Sequence, residues 1–183
     1  MKLNKHSEHI LTIDEFWSKA KCDEFIVNSE SIGFEPAMVQ TESGQKRVEV
    51  VLKNKRILFT DEILANEIWD SLKEYAPNKI GNSLSIGLNE MFRFCKYDPG
   101  QEFKKHRDQS YIRNETESSY FPFMIYLNDD FIGGETKFNT IKIKLTKGTA
   151  LIFFHELEHE GSKLIAGKKY VLRTDIMYKL HDQ

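Results

Sequence analysis

The apolar and polar positions change their rhythm near Asn82. Upstream, Val48, Val50 and Leu52 alternate with Arg47, Glu49 and Lys53, and after Asn54-Lys55 the chain resumes period two with Ile57 and Phe59, which predicts two strands around a turn. Thr12 with Glu15 three residues on has the form of a capping box and predicts a helix from Ile13 to Lys21. Leu64, Ile68, Leu72 and Tyr75 recur at helical spacing up to Pro77. Thr60 is placed to cap that helix, with Asp61 and Glu62 in the first turn, where the helix dipole favours acids.

Downstream, short segments rich in Phe, Tyr, Val and Ile are punctuated by Asp-Pro-Gly, Asn-Asp-Asp, Gly-Gly, Lys-Gly and Ala-Gly. They predict strands near 89–97, 102–108, 120–127, 135–145, 148–154, 157–160 and 168–178, and no helix. A mainly β protein with N-terminal helices follows, its core a sandwich or barrel. The polar tract Gln109 to Ser119 reads as a surface loop and a candidate lid. Residues 1–183 are expected to form one domain, with 1–86 as a helical and stranded support and 87–180 as the core.

Composition narrows the functions. With 26 Lys plus Arg against 28 Asp plus Glu, the net charge of −2 disfavours nucleic acid as a partner. A chain with 40% hydrophobic and 12% aromatic residues can bury a core, which excludes disordered and fibrous classes. Cys22 and Cys95 cannot build a disulfide framework and read as reduced thiols. Met1 to Phe16 lacks the apolar stretch of a secretory signal, and no apolar run approaches the ~20 residues that cross a bilayer. The expectation is a cytoplasmic protein with no membrane partner.

Chemistry concentrates in the second half. His106-Arg107-Asp108 is an H-x-D on an expected strand, where residues i and i+2 share a face. Such a match arises by chance in about a third of chains with this many His and Asp. His159, on a later strand, raises its significance, because two imidazoles and one carboxylate form the facial triad that holds Fe(II) and leaves three positions open. A rival motif overlaps it: His155-Glu156-Leu157-Glu158-His159 matches H-E-x-x-H, a zinc metalloprotease signature that requires a helix. The strand-like Thr149 to Phe154 before it and Gly161 after it leave little room for one.

The strand expected at 168–178 separates Lys169, Val171, Arg173, Asp175 and Met177 from Tyr170, Leu172, Thr174, Ile176 and Tyr178. Either the charged face meets water, or N-terminal helices cover the apolar face and the charged face looks into a polar cavity. In the second case a cation on this face would anchor the far carboxylate of a dicarboxylate bound at the metal. Lys169, ten residues after His159, is the first candidate and Arg173 the second.

Five motifs occur in one order: Tyr97-Asp98-Pro99-Gly100-Gln101-Glu102-Phe103, His106-x-Asp108, Tyr126-Leu127-Asn128-Asp129, Gly133-Gly134-Glu135-Thr136-x-Phe138 and His159-Glu160-Gly161. In this the sequence from about Leu88 to Tyr178 resembles the Fe(II)- and 2-oxoglutarate-dependent dioxygenases of the prolyl 4-hydroxylase catalytic-domain type. The segment Arg47 to Asp61, with Asn54-Lys55-Arg56, and the helix after it look like the N-terminal part of a subgroup whose substrates are mostly undefined.

The resemblance implies a double-stranded β-helix, the cupin-like jelly roll. It also implies iron ligands His106, Asp108 and His159, Lys169 on the distal carboxylate of 2-oxoglutarate, and Tyr97 touching the same co-substrate. It implies Fe(II), 2-oxoglutarate and O2 as cofactor and co-substrates, ascorbate as an optional addition, and release of succinate and CO2 as a C–H bond is hydroxylated. A peptidyl proline, another protein side chain or a small molecule would be the substrate. Secretory cysteines are missing, which argues against collagen. The alternative is a jelly roll that keeps the fold as a non-catalytic binding module.

Overall fold

The computed structural model describes residues 1–36, 54–143 and 146–181, and the backbone alone of 39–41 and 44–46. The chain begins with β1 (Lys2–Ser7), β2 (Ile10–Asp14), α1 (Lys19–Ile32), β3 (Glu35–Pro36), β4 (Val39–Thr41) and β5 (Gly44–Lys46). It continues through β6 (Lys55–Thr60), α2 (Glu62–Leu72), β7 (Lys79–Ile80), β8 (Ser83–Leu88), β9 (Met91–Tyr97) and β10 (Phe103–His106). Then come β11 (Glu117–Tyr126), β12 (Ile132–Gly133), β13 (Thr136–Phe138), β14 (Lys142–Ile143), β15 (Ala150–Phe153), β16 (His159–Gly161), β17 (Leu164–Ala166) and β18 (Lys169–Leu180).

Two antiparallel sheets make a jelly roll. The large one runs β1-β2-β15-β11-β18-β9-β6-β3, with β8 on the far end of β18 and β7 beside it. The small one runs β10-β16-β13-β14. Between them lies an apolar cluster fed from both: Tyr126, Leu151, Phe153 and Val171 from the large sheet, Phe138 and Ile143 from the small one. The outer face of the large sheet carries Phe92, Phe94, Phe123, Ile125, Tyr170, Leu172, Ile176 and Tyr178, packed with Trp17, Cys22 and the α2 residues Leu64, Ala65, Ile68 and Leu72. Helices therefore cover the apolar face of β18, and its charged face turns inward. No described helix is long and apolar enough to cross a membrane.

Local chemistry accounts for the helix ends. Ser18 caps α1, its side chain accepting from the Lys21 N–H, and Asp61 caps α2 by accepting from Leu64 N–H at 2.9 Å. The cap of α2 is thus one residue later than Thr60. The helix expected over Ile13 to Lys21 is a correction: Ile10–Asp14 is a strand, Thr12 is buried within it, and Glu15 takes left-handed backbone (φ 56°) instead of completing a capping box. Pairing with β1 on one side and β15 on the other satisfies this segment's backbone and outweighs its local helical signal.

The expected strand over 135–145 is divided into β13 and β14, while β6 forms as expected and pairs with β9. Val48, Val50 and Leu52 lie outside the described residues. Both cysteines are free thiols.

The α2 seat generates a stability prediction. Leu72 is fully buried, so Leu72→Ala should lower unfolding free energy by about 2–5 kcal/mol, whereas Ile63→Ala, on the exposed face of the same helix, should stay within about 0.5 kcal/mol. Urea denaturation of both variants measures the difference.

Candidate active site

His106 ends β10 and His159 opens β16, and the antiparallel register sets the two residues directly opposite each other. Asp108 lies beyond the end of β10, so strand alternation does not aim it. A loop hydrogen bond from its N–H to the His155 carbonyl, 3.2 Å, holds it instead. The result is one cluster: His106 Nε2 is 3.5 Å from Asp108 Oδ1, and His159 Nε2 is 3.5 Å from Asp108 Oδ2. One ligand atom from each of the three residues lies within 4.8 Å of the others.

The tautomers follow from the carbonyl partners. His106 Nδ1 lies 2.6 Å from the Lys104 carbonyl and His159 Nδ1 lies 2.9 Å from that of Leu157. A carbonyl only accepts, so both Nδ1 atoms carry the proton and both Nε2 lone pairs face the carboxylate. His106 Nε2 and Asp108 Oδ2 are buried without a hydrogen-bond partner. Acceptors converging with no proton between them call for a cation, and two His with one carboxylate suit Fe(II). Burial holds His159 down at about 4, so its imidazole is neutral at physiological pH. Phe103 stacks on the His106 ring at 3.5 Å between centroids and Phe153 meets His159 edge-on at 4.5 Å, fixing both rings.

Arg173 Nη2 stands 3.0 Å from Asp108 Oδ2 and 3.9 Å from Asp175 Oδ1. Burial opposes ionisation of Asp108, but the Arg173 guanidinium outweighs it and holds the carboxyl well below its usual range. Asp175, 3% exposed, also meets Arg93 Nη1 at 3.3 Å.

A cavity of about 610 Å³ opens from the cluster between the sheets. Lys169 and Tyr97 face each other across the β18–β9 ladder and both line it. Lys169 is 5% exposed, and no carboxylate of a described residue lies within 4 Å of its Nζ. Nζ donates to the Gly134 carbonyl at 2.6 Å and sits 5.3 Å and 4.9 Å from the ring centroids of Tyr97 and Tyr126. Burial pulls its pKa down to about 8. The Tyr126 hydroxyl is hydrogen-bonded to Thr136 Oγ1 on the same wall. Gly134 lets the turn close over Lys169: its φ is +69°, and a Cβ there would lie 3.3 Å from Lys169 Cδ.

His155 is a separate matter. Residues 155–158 form a turn and no helix, so the metalloprotease arrangement is not made, and period two does not align His155 with His159. His155 Nε2 faces Ser119 Oγ at 3.0 Å and Asp175 Oδ1 at 3.7 Å, behind the cluster. Of the tract expected as a loop, Gln109, Ser110 and Tyr111 line the cavity, and Glu117 to Ser119 already belong to β11. Thr136, at the start of the strand after Gly133-Gly134, lines the cavity as the sequence allowed, whereas Tyr126 and Arg93 were missed as cavity residues. Alternation from Tyr97 along β9 places Cys95, Arg93 and Met91 on the same inner face and would have found Arg93.

Two sheets enclosing a 2-His-1-carboxylate cluster, with a buried cation deeper in the cavity, define the architecture of a jelly-roll oxygenase. Residues 92–174 match the model of the 2OG-Fe(II) oxygenase superfamily. This segment holds His106, Asp108, His159 and Lys169, and its match together with the cluster supports a 2-oxoglutarate-dependent dioxygenase that uses Fe(II), 2-oxoglutarate and O2. No curated protein sequence matches the chain significantly.

The fold is that of prolyl hydroxylases. A viral collagen prolyl hydroxylase from Paramecium bursaria Chlorella virus-1, solved with 2-oxoglutarate, superposes with a TM-score of 0.67 at 20% identity over 96% of this chain and 98% of its own. A Pseudomonas putida prolyl-4-hydroxylase gives 0.64 at 13% identity over 96% and 95%. A Trichoplax adhaerens prolyl hydroxylase, solved with a hypoxia inducible factor peptide, gives 0.71 at 18% identity over 95% and 84%.

The two histidine environments give opposite expectations. His106→Ala should abolish retention of one Fe(II) or Mn(II) per chain after gel filtration, measured by metal analysis, while His155→Ala should retain the metal and lose stability only. Retention in His106→Ala with loss in His155→Ala would reverse the assignment.

Proposed function

We propose that this chain hydroxylates a C–H bond of a prolyl residue or a related amino-acid substrate, with His106, Asp108 and His159 holding iron and Lys169 holding the distal carboxylate of 2-oxoglutarate. The observation that carries the reading is the pairing of two unmet needs in one cavity: lone pairs with no proton between them, and a buried ammonium with no carboxylate of a described residue within 4 Å. A metal ion and a dicarboxylate answer both. When bound, Fe(II) supplies the oxidative chemistry in which O2, 2-oxoglutarate and a substrate C–H become succinate, CO2 and an alcohol.

The protein's own groups bind, orient and exclude water. Lys169 keeps its proton below pH about 8 and offers it to an anion in a pocket walled by the Tyr97 and Tyr126 rings. Thr136, beside Tyr126, adds a hydroxyl to that wall. Arg173, the other candidate anchor, lies against Asp108, and we assign it to holding that carboxylate ionised and in place. The Nδ1–H bonds to Lys104 and Leu157 keep both imidazoles turned with Nε2 toward the cluster. The related folds solved with 2-oxoglutarate and with a peptide support a dicarboxylate in this cavity and a peptide at its mouth.

Fe(II)-dependent succinate release, assayed with ascorbate present, tests the reading. Removing one partner of a buried ion pair costs about 3–5 kcal/mol, so Lys169→Ala should raise KM for 2-oxoglutarate by roughly 100-fold or more. Lys168→Ala, exposed in the connection just before β18, should be nearly silent. Because kcat/KM reports the free enzyme, its value for 2-oxoglutarate should fall as pH rises through about 8, where Lys169 loses its proton. Lys169→Arg should move that limb upward. A KM unchanged in Lys169→Ala would reject the anchor.

A further inference from the structure

The cavity extends past the cluster into an arm made by β6 and β9. Ladder pairing sets Arg56 beside Cys95, Leu58 beside Arg93, and Arg93 beside Arg173, and all of these line the cavity. Its described lining holds Arg56, Arg93, Arg107, Arg173 and Lys169 but one carboxylate, Asp108. Asp175, behind the wall, serves Arg93 and Arg173. Arg56 is half-buried, and no carboxylate of a described residue lies within 4 Å of it. Its neighbour Lys55, one residue along the strand, pairs with Asp98. Asn54, 6% exposed and also in the lining, keeps its side-chain Oδ1 without a hydrogen-bond partner.

Loading the site does not settle this charge. On the reading above, 2-oxoglutarate brings two negative charges, one for Lys169 and one for the metal with its Asp108. The divalent metal and the dianion cancel each other, so the arm keeps its excess of guanidinium. A guanidinium held out of bulk water beside a second one is unfavourable until an anion arrives, and its planar fork matches a carboxylate.

We propose that this arm is the seat of the hydroxylated substrate and that Arg56 binds a carboxylate on it, with Arg93 behind. Asn54 Oδ1 accepts an N–H of the same molecule. The substrate is thus an anionic amino-acid derivative or peptide whose carboxylate comes from its own α-carboxyl group or from an acidic side chain beside the residue that reacts. This rests on the oxygenase reading.

The test uses the full chain with Fe(II), ascorbate and 2-oxoglutarate, and follows succinate formed above the substrate-free rate. Matched probes separate the sources: free L-proline against L-prolinamide, and capped prolyl peptides carrying Glu, Gln or Lys next to the proline. The expected result is a KM about tenfold or more lower for the carboxylate member of one set. Arg56→Gln should remove that preference, Arg56→Lys should keep part of it, and Arg56→Glu should turn it toward the lysine peptide. The set that responds identifies the source.

Stimulation by no probe, equal KM within both sets, a preference that survives Arg56→Gln, or an Arg56→Gln defect confined to the KM for 2-oxoglutarate would each overturn the proposal. Absence of Fe(II)-dependent succinate in every reaction, including those without a prime substrate, would instead reject the oxygenase reading itself.

Discussion

Charge buried inside an apolar sandwich is the constraint on which this structure turns. Asp108, Asp175, Arg173 and Lys169 have side chains or whole residues between 3% and 15% exposed, in an interior otherwise filled by rings and branched aliphatics. Each isolated charge there would cost several kcal/mol. Arg173 between Asp108 and Asp175 offsets part of that cost within the protein. Lys169 and the facing His106 and Asp108 acceptors leave part of it unmet, and the unmet part is what a metal and a dicarboxylate would satisfy.

The sheets make such a constellation possible. Period two sends Lys169, Val171 and Arg173 to one face of β18, while Tyr170, Leu172, Ile176 and Tyr178 go to the other, under α2 and the segment around Trp17. Had the outer face been left to water, these apolar residues would have required the opposite register and the cations would have pointed outward. The helices therefore act on the site at one remove, by fixing which face of the large sheet is inside. Register between β10 and β16 brings the histidines together, and one loop hydrogen bond adds the aspartate.

How much of this was legible in the sequence depends on whether the determining contact is local. The faces of β18, the α2 helix and the order of the strands after Met91 follow from periodicity and turn residues, and the structure has them. The jelly roll and the oxygenase class were legible through five ordered motifs. The β2 strand was not, because Ile10 to Asp14 is extended by partners more than a hundred residues away in β15 as well as by β1. Asp108 was expected on the same strand face as His106, and it reaches the cluster from a loop instead. The roles around Arg56, Arg93 and Arg173 stayed hidden for the same reason: which cation finds a carboxylate is decided across three strands, and no spacing along the chain records it.

The central claim is that the inner face of β18 holds the co-substrate. A crystal structure of the protein with Mn(II) and 2-oxoglutarate tests it most directly. One metal ion should be bound by His106, Asp108 and His159, with the distal carboxylate against Lys169 Nζ. A dicarboxylate seated instead on Arg56 and Arg93, or a metal held by His155, would contradict it.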